Sequence, residues 1–348
     1  MKLAVFPFDS KSQNEYLNQM LKAFTLAYPG LEILDFNPFN IKKVKDIDVC
    51  WLNWYENLYS NSISVLKELS KKLIRIVLIK IFRKRIIATF HNKQPHEMKY
   101  QHLNMVFFKW YFRMADNIII LCEESKSIIK NIIGENHMSK VILIPHPKYD
   151  CTPRIWLSDS IKPPFSVLFF GLLRPYKNIE MVIELAKENQ DINFVVAGKP
   201  LTHEYGLQLL NLCKGIKNIT LDLKYQSDKD IDFLMDKTSV LLLPYNLNSS
   251  LNSGVLMYAL SKGVNVIIPE IGGVKDIKLH KKIYTYKYQN DSEHKESVSK
   301  MLSKAKSDYN NKYSEFVTDI KMLRQDIATH NSITEISTLL TRLNLGNT

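Results

Sequence analysis

The sequence predicts an α/β protein built from two doubly wound, Rossmann-like domains, and three observations carry the prediction. At 348 residues the chain is too long for one ordinary core and suits two domains of about 150 residues each. Short apolar runs alternate with helical periodicity along the chain, the signature of βαβ units and parallel sheets. The alternation pauses at Pro145, Pro147, Pro153, Pro163 and Pro164, and proline density between periodic segments marks a linker.

In the first half, strands are expected at residues 2–7, 31–36, 48–53, 85–91, 117–122 and 141–145. Helices are expected between them at 14–27, 62–84, 99–114 and 124–133. After the prolines, strands are expected at 166–171, 193–197, 218–221, 240–244, 265–269 and 282–286. The helices separating these fall at 178–187, 203–213, 228–237 and 253–262, and the tail from Asp291 is predominantly helical. The boundaries are therefore 1–148 for the first domain, 149–164 for the hinge and 165–328 for the second domain. Residues 329–348 form a C-terminal helix that crosses back to the first. Ligands in such sheets bind at the carboxyl ends of the strands, so the two domains are expected to face a central cleft.

Composition narrows the function. The four cysteines, Cys50, Cys122, Cys151 and Cys213, form no CxxC pair and no zinc-ligand spacing, which argues against a disulfide or metal framework and for a reducing cytoplasm. The opening run MKLAVFPFDS is too short for a signal peptide and reads as a first buried strand. The longest apolar run, from Leu73 to Phe82, is broken by Arg75 and Lys80, so no segment is expected to span a bilayer. The formal net charge of +12 favours an anionic partner. It is concentrated: residues 64–85 hold eight cations and one acid, Glu68, a net +7 of that total.

The most informative turn is FFGLLRPYKNIE, from Phe169 to Glu180. Its strand ends in Gly171, which has no side chain to block a ligand from the backbone. Arg174 and Lys177 follow, then Asn178 as N-cap of the next helix. Two cations beside exposed helix N–H groups suit a pyrophosphate, although a basic loop with a helix cap fits the same spacing. A second stretch runs from Leu241 to Ile277. There a buried strand ends at Pro244, a polar loop follows, and a helix starting near Ser253-Gly254 directs its N-terminus at the site. The turn at Lys262-Gly263 leads into another strand and the Gly272-Gly273 loop.

These two stretches resemble the donor domain of GT-B glycosyltransferases related to glycosyltransferase family 4. The resemblance implies a GT-B fold and transfer from a nucleoside-diphosphate sugar, UDP- or GDP-linked, with no metal cofactor. Residues 165–328 would bind the donor and 1–148 the acceptor. Gly171, Arg174, Lys177, Ser253 and Gly254 would hold the donor diphosphate, with Tyr245, Ser249, Ser250 and Tyr258 around the nucleotide and sugar. The family pattern carries two glutamates eight residues apart, and their positions here are Ser250 and Tyr258. Both acids are absent, which leaves inversion against retention open. Hydroxyls of Ser249, Ser250 and Ser253 are expected to replace part of the lost polar contact.

In the first domain, the strand ending in His91-Asn92 resembles the Thr-x-His turn of the same family, where the His lies in the active site. His91 is the first candidate for a general base, with Glu97 and His96 behind it, and Asp9 after strand one is a candidate base for an inverting reaction. His146 is expected to be a hinge or wall residue. On the basic helix, Lys67, Lys71, Lys72 and Arg75 are expected to face anionic lipid, against the alternative of a solvated cationic face. The run 106–112 would add an aromatic interfacial edge, with core packing the equal alternative. The implied setting is a lipid-linked or oligosaccharide acceptor in capsule, exopolysaccharide or lipopolysaccharide synthesis, at the inner face of the membrane.

Three other functions compete with this reading. A dinucleotide oxidoreductase needs a glycine-rich turn after strand one, and DSKSQNEYL has none. A nucleic-acid binder needs aromatics interleaved with its cations, and residues 64–85 offer only Phe82, so no nucleic acid is expected. A catalytically inactive relative, serving as a binding or scaffold subunit, is motivated by the two missing glutamates.

Overall fold

The computed structural model describes residues 1–8, 14–36, 41–58, 63–93, 101–328 and 332–343. The chain divides into two compact units, one formed by residues 1–147 and 331–348 and the other by residues 148–330.

Unit 1 alternates β1 (Lys2–Phe6), α1 (Glu15–Ala27), β2 (Glu32–Asp35), α2 (Ile41–Asp46), β3 (Val49–Asn53), α3 (Ile63–Ile81), β4 (Arg85–Phe90), α4 (Gln101–Met114), β5 (Asn117–Ile120), α5 (Glu124–Ile133) and β6 (Val141–Leu143). The strands form one sheet in the order β2-β1-β3-β4-β5-β6, and every neighbouring pair is parallel. Parallel strands covered on both faces need continuous apolar runs, and all five residues of β3 are buried. Helix α1 starts where the Asn14 side chain accepts a hydrogen bond from the Leu17 amide at 3.4 Å. It buries Tyr16, Met20, Ala23 and Phe24 along one stripe.

Unit 2 contains β7 (Ser166–Phe170), α6 (Ile179–Glu188), β8 (Asn193–Ala197), α7 (His203–Leu212), β9 (Ile219–Asp222), α8 (Asp228–Asp236), β10 (Val240–Leu242), α9 (Gly254–Lys262), β11 (Asn265–Pro269), α10 (Gly272–Lys275) and β12 (Tyr284–Tyr286), followed by α11 (Asp291–Asn311) and α12 (Tyr313–Ala328). Its sheet is again parallel, in the order β12-β11-β10-β7-β8-β9. The chain therefore builds outward from β7 to β9, then returns to place β10 on the other side of β7. That reversal is a topological switch point, where ligands of open α/β sheets bind. Unit 1 has its own reversal at β1, flanked by β2 and β3.

Helix α13 (Ile333–Arg342) packs against α1 and β6 of unit 1. The proline-rich stretch groups with unit 2. The Tyr149 amide donates to Ser261 Oγ at 2.9 Å, the Arg154 amide to the Lys262 carbonyl at 2.7 Å, and Trp156 Nε1 to the Gly263 carbonyl at 3.0 Å.

Two local features differ from expectation. Residues 41–46, IKKVKD, form helix α2, too short and too rich in lysine for periodicity to reveal. The Gly272-Gly273 loop is the first turn of α10. A Cβ on Gly273 would lie 2.8 Å from Asn252 Oδ1, so the Asn252 side chain would have to shift to admit one.

Candidate functional site

The turn after β7 sits at the switch point of unit 2 and opens on Gly171, which has no side chain. Gly171 has φ +120, and an added Cβ there would stand 3.3 Å from Lys177 Nζ and 3.7 Å from Val255 Cγ2. Gly198, after the adjacent strand β8, has φ +154, and its Cβ would fall 1.8 Å from the Gly171 carbonyl oxygen. Only glycine allows the two chain passes to touch in this way.

Beyond Gly171 the chain runs extended through Arg174 and closes a 3₁₀ turn over Pro175–Lys177. This returns the Lys177 side chain beside Gly171, where it is 9% exposed. Among the described residues no carboxylate pairs with it. Burial, and then the positive charge of Arg174, push its pKa down to about 8. A buried cation without a counter-ion is costly, and an anion bound at this turn would remove the cost.

Asn178 occupies the N-cap position of α6 but does not cap it. Its left-handed backbone (φ 54, ψ 47) turns the side chain away from the helix amides, and Nδ2 donates to the Pro244 carbonyl at 2.8 Å. That bond ties the first turn to the loop after β10. The next residue, Tyr245, is buried, and Lys177 Nζ lies 5.9 Å from the centre of its ring. Ser253 Oγ donates to the Tyr245 hydroxyl at 3.4 Å and accepts from the Leu256 amide at 3.1 Å, which makes it the N-cap of α9. Gly171, Lys177, Tyr245, Ser253 and the Gly254 end of α9 thus converge in one place, with Arg174 on the same turn. A lysine, a bare backbone and the positive end of a helix are a combination that suits a group with several anionic oxygens.

The remaining residues expected around the nucleotide lie near this cradle in different roles. The amides of Ser249 and Ser250 bond to the Asn246 carbonyl, and Ser250 is buried within the loop. Tyr258 lies one turn into α9. Its hydroxyl donates to Asp232 Oδ1 at 2.9 Å, and its ring packs edge-on against Phe170 and Tyr149. Gly198 and the Asn178–Pro244 bond were missed by sequence reasoning; an Ala-Gly pair ending a strand was the available signal for the glycine.

In unit 1, His91 follows the end of β4 and is buried in an aromatic cluster. Its ring stacks on Trp54 at 4.1 Å and 16° and meets Tyr16 edge-on at 5.1 Å. Tyr16 also contacts His146 at 5.0 Å. Trp54 has φ 51, a strained backbone for a bulky residue, and this seats its indole against His91. His91 Nε2 lies 3.1 Å from Asn53 Oδ1; Asn53 Nδ2 meanwhile donates to the Phe6 carbonyl at 3.4 Å. This orientation makes Nε2 the protonated nitrogen and Nδ1 the basic one. Burial, then the neighbouring His146, hold the His91 pKa well below the ordinary value, so the ring is neutral at physiological pH. Asp9, His96 and Glu97 lie outside the described residues.

The cations of α3 do not share one face. Lys67 and Lys71 are exposed and Arg75 is half-buried. Lys72 is turned inward with Val65, Ile76 and Ile79. Its ammonium pairs with Glu68 at 3.0 Å, donates to the Asn57 carbonyl and lies 5.3 Å from the centre of the Tyr55 ring. Aliphatic side chains take the outward positions instead: Leu66 is 61% exposed, Ile74 51% and Ile81 65%, with Val77 between them. The helical repeat decides this, because residues 65, 72, 76 and 79 share the inward stripe. On α4, Phe107, Phe108, Tyr111 and Phe112 are buried and Val106 alone is a large exposed aliphatic, so most of the aromatic run belongs to the core.

Two parallel six-stranded sheets with flanking helices give the chain the fold of GT-B glycosyltransferases. Residues 158–317 match the family described as glycosyl transferases group 1. The chain is 22% identical over 269 residues to the GDP-mannose:glycolipid 4-beta-D-mannosyltransferase of Xanthomonas campestris pv. campestris, a match spanning 75% of this chain and 72% of that protein. Its fold is similar to that of Anabaena Alr3699/HepE, solved with UDP, with a TM-score of 0.68, 14% identity and 98% of both chains covered. A glycosyltransferase from Rickettsia africae ESF-5 is similar at a TM-score of 0.63 and 13% identity, over 99% of this chain and 98% of that one.

Proposed function

We propose that the protein transfers a sugar from a UDP- or GDP-linked donor to a lipid-linked or oligosaccharide acceptor, in the synthesis of a capsule, exopolysaccharide or lipopolysaccharide. The observation that carries the donor side is Lys177, a buried cation without a carboxylate partner among the described residues, set against the bare backbone of Gly171 and the N-terminus of α9. As the bond from the anomeric carbon to the diphosphate breaks, negative charge grows on the leaving oxygens. Lys177, Arg174 and the α9 amides stabilise that charge from fixed positions, and the reading requires no metal. The acceptor hydroxyl supplies the new bond to the anomeric carbon and loses its proton to a base. His91, neutral and basic at Nδ1, is the first candidate, with Glu97 and Asp9 behind it.

A GDP-linked donor is supported by the name of the Xanthomonas relative and a UDP-linked one by the ligand of the Anabaena protein. The glycolipid in the first name supports a lipid-linked acceptor. Among the described residues no helix is long and apolar enough to cross a membrane. An anionic membrane surface is the proposed setting, with the outward side of α3 as the contact.

Thermal melting with UDP, GDP and their sugars tests the donor. Ligand at a hundred times its dissociation constant should stabilise the protein by about 2.7 kcal/mol, which moves the melting point by a few degrees. A shift with one nucleotide and not the other identifies the base. No shift with any of them would reject the donor reading.

A further inference from the structure

We infer that Tyr288 is a positioning residue for the donor loop, fixing the backbone of residues 245–247 so that Tyr245 and Ser253 stand beside Lys177. The inference rests on the donor reading above and assigns the device that shapes that site. The Tyr288 hydroxyl accepts a hydrogen bond from the Leu247 amide at 2.9 Å and donates one to the Tyr245 carbonyl at 3.0 Å. A phenol has one proton to give and lone pairs to receive, so a single oxygen satisfies backbone groups on either side of Asn246. It does so where the chain has left the sheet, since β10 ends at Leu242.

The ring carrying that hydroxyl is itself held. It stacks face to face on His294 at 3.8 Å and 2°, and His294 Nε2 lies 3.0 Å from the Tyr286 hydroxyl. His294 is buried on α11, and burial lowers its pKa to about 4. The imidazole is therefore neutral at physiological pH and stacks without a buried charge to solvate. What the latch holds gives it a function beyond packing. Tyr245 follows Pro244, whose carbonyl accepts from Asn178, and its own hydroxyl accepts from the N-cap of α9. Displacing the backbone of residues 245–247 would move the wall that faces Lys177.

Tyr288→Phe keeps the stacked ring and removes the hydroxyl. Hydrogen exchange at the Leu247 amide should accelerate about tenfold, and the affinity for UDP or GDP, whichever the native protein binds, should fall about tenfold. At saturating donor, kcat should stay within about twofold, because the loss falls on donor binding rather than on the reacting groups. His294→Phe, which retains a stacking ring, should bind nucleotide nearly as the native protein does, whereas His294→Ala should bind it more weakly.

Unchanged exchange at Leu247 in Tyr288→Phe overturns the latch. Faster exchange with undiminished nucleotide affinity overturns the positioning role. If the native protein binds neither UDP nor GDP, the donor reading fails and the positioning role with it, while exchange at Leu247 still decides whether Tyr288 holds the loop.

Discussion

Lys177 is the residue on which the proposed donor side turns, and its charge state makes a signed prediction. Its pKa in the unliganded protein is about 8, and an anionic diphosphate beside it raises that value. Binding above pH 8 therefore takes up a proton, and nucleotide affinity should fall as pH rises through 8, by up to about tenfold per unit. Folding stability moves in the opposite sense. The unfolded lysine titrates near its ordinary 10.5 and holds its proton more tightly than the folded one. The unliganded protein should therefore gain stability as pH climbs from 8 to 10.5.

Lys177→Met separates the two effects: it should weaken UDP or GDP binding by tenfold or more, roughly the value of a charged hydrogen bond, and leave the remaining affinity flat across pH 8. Calorimetric titration at pH 7 and 9 measures both. A native affinity that does not change between those values would remove Lys177 from the diphosphate site.

Gly171, Arg174 and Lys177 were legible in sequence because they share one turn. The company they keep was not, since Tyr245 and Ser253 reach Lys177 only through the pairing of β10 with β7. His91 was singled out because it closes a predicted strand, and its packing against Trp54 and Tyr16 was hidden because it joins α1 to the chain just beyond β3 and β4.

At the scale of elements, α3 shows what charge counting reveals and what it conceals. The excess of cations on residues 64–85 is a property of composition and is present as counted. Which of them face outward depends on the helical phase, and Lys72 lies on the inward stripe. The outward side consequently combines Lys67 and Lys71 with exposed Leu66, Ile74, Val77 and Ile81. Such a combination suits the boundary between lipid head groups and acyl chains, the contact proposed above, better than phosphate alone.

Two predictions of binding follow from that distinction. Vesicles containing phosphatidylserine should bind the protein, and Lys67→Glu with Lys71→Glu should weaken the binding at least about tenfold, each cation near the surface contributing about 1 kcal/mol. Ile74→Ser with Ile81→Ser should weaken it comparably without altering its dependence on salt. Binding that survives both pairs of changes, or that is equal on uncharged phosphatidylcholine vesicles, would rule out this face as the membrane contact.

At the scale of the whole molecule, the order of the chain and the order of the units do not coincide. Alternation and prolines revealed two doubly wound units, since each βαβ step is local. The return of the last helix is a long-range choice: α13 completes unit 1 although unit 2 lies between them in sequence. Ile336, Leu339 and Leu340 are buried where α13 meets α1 and β6, and Arg342 Nη1 donates to the Ser139 carbonyl at 3.3 Å. Unit 1 therefore finishes its core only when the final segment has folded onto it.

Leu339 is fully buried, so Leu339→Ala should cost about 2–5 kcal/mol through lost contacts and a cavity. Because its neighbours belong to unit 1, the loss should be local to that unit. Hydrogen exchange should accelerate across β1, β3, β4 and β5 and remain at native values across β7, β8, β10 and β11. Nucleotide affinity should also be retained, since every residue of the proposed diphosphate cradle lies in unit 2. Equal acceleration in both sheets would mean that the two units unfold as one cooperative block. Acceleration in neither would mean that α13 adds little to the core it covers.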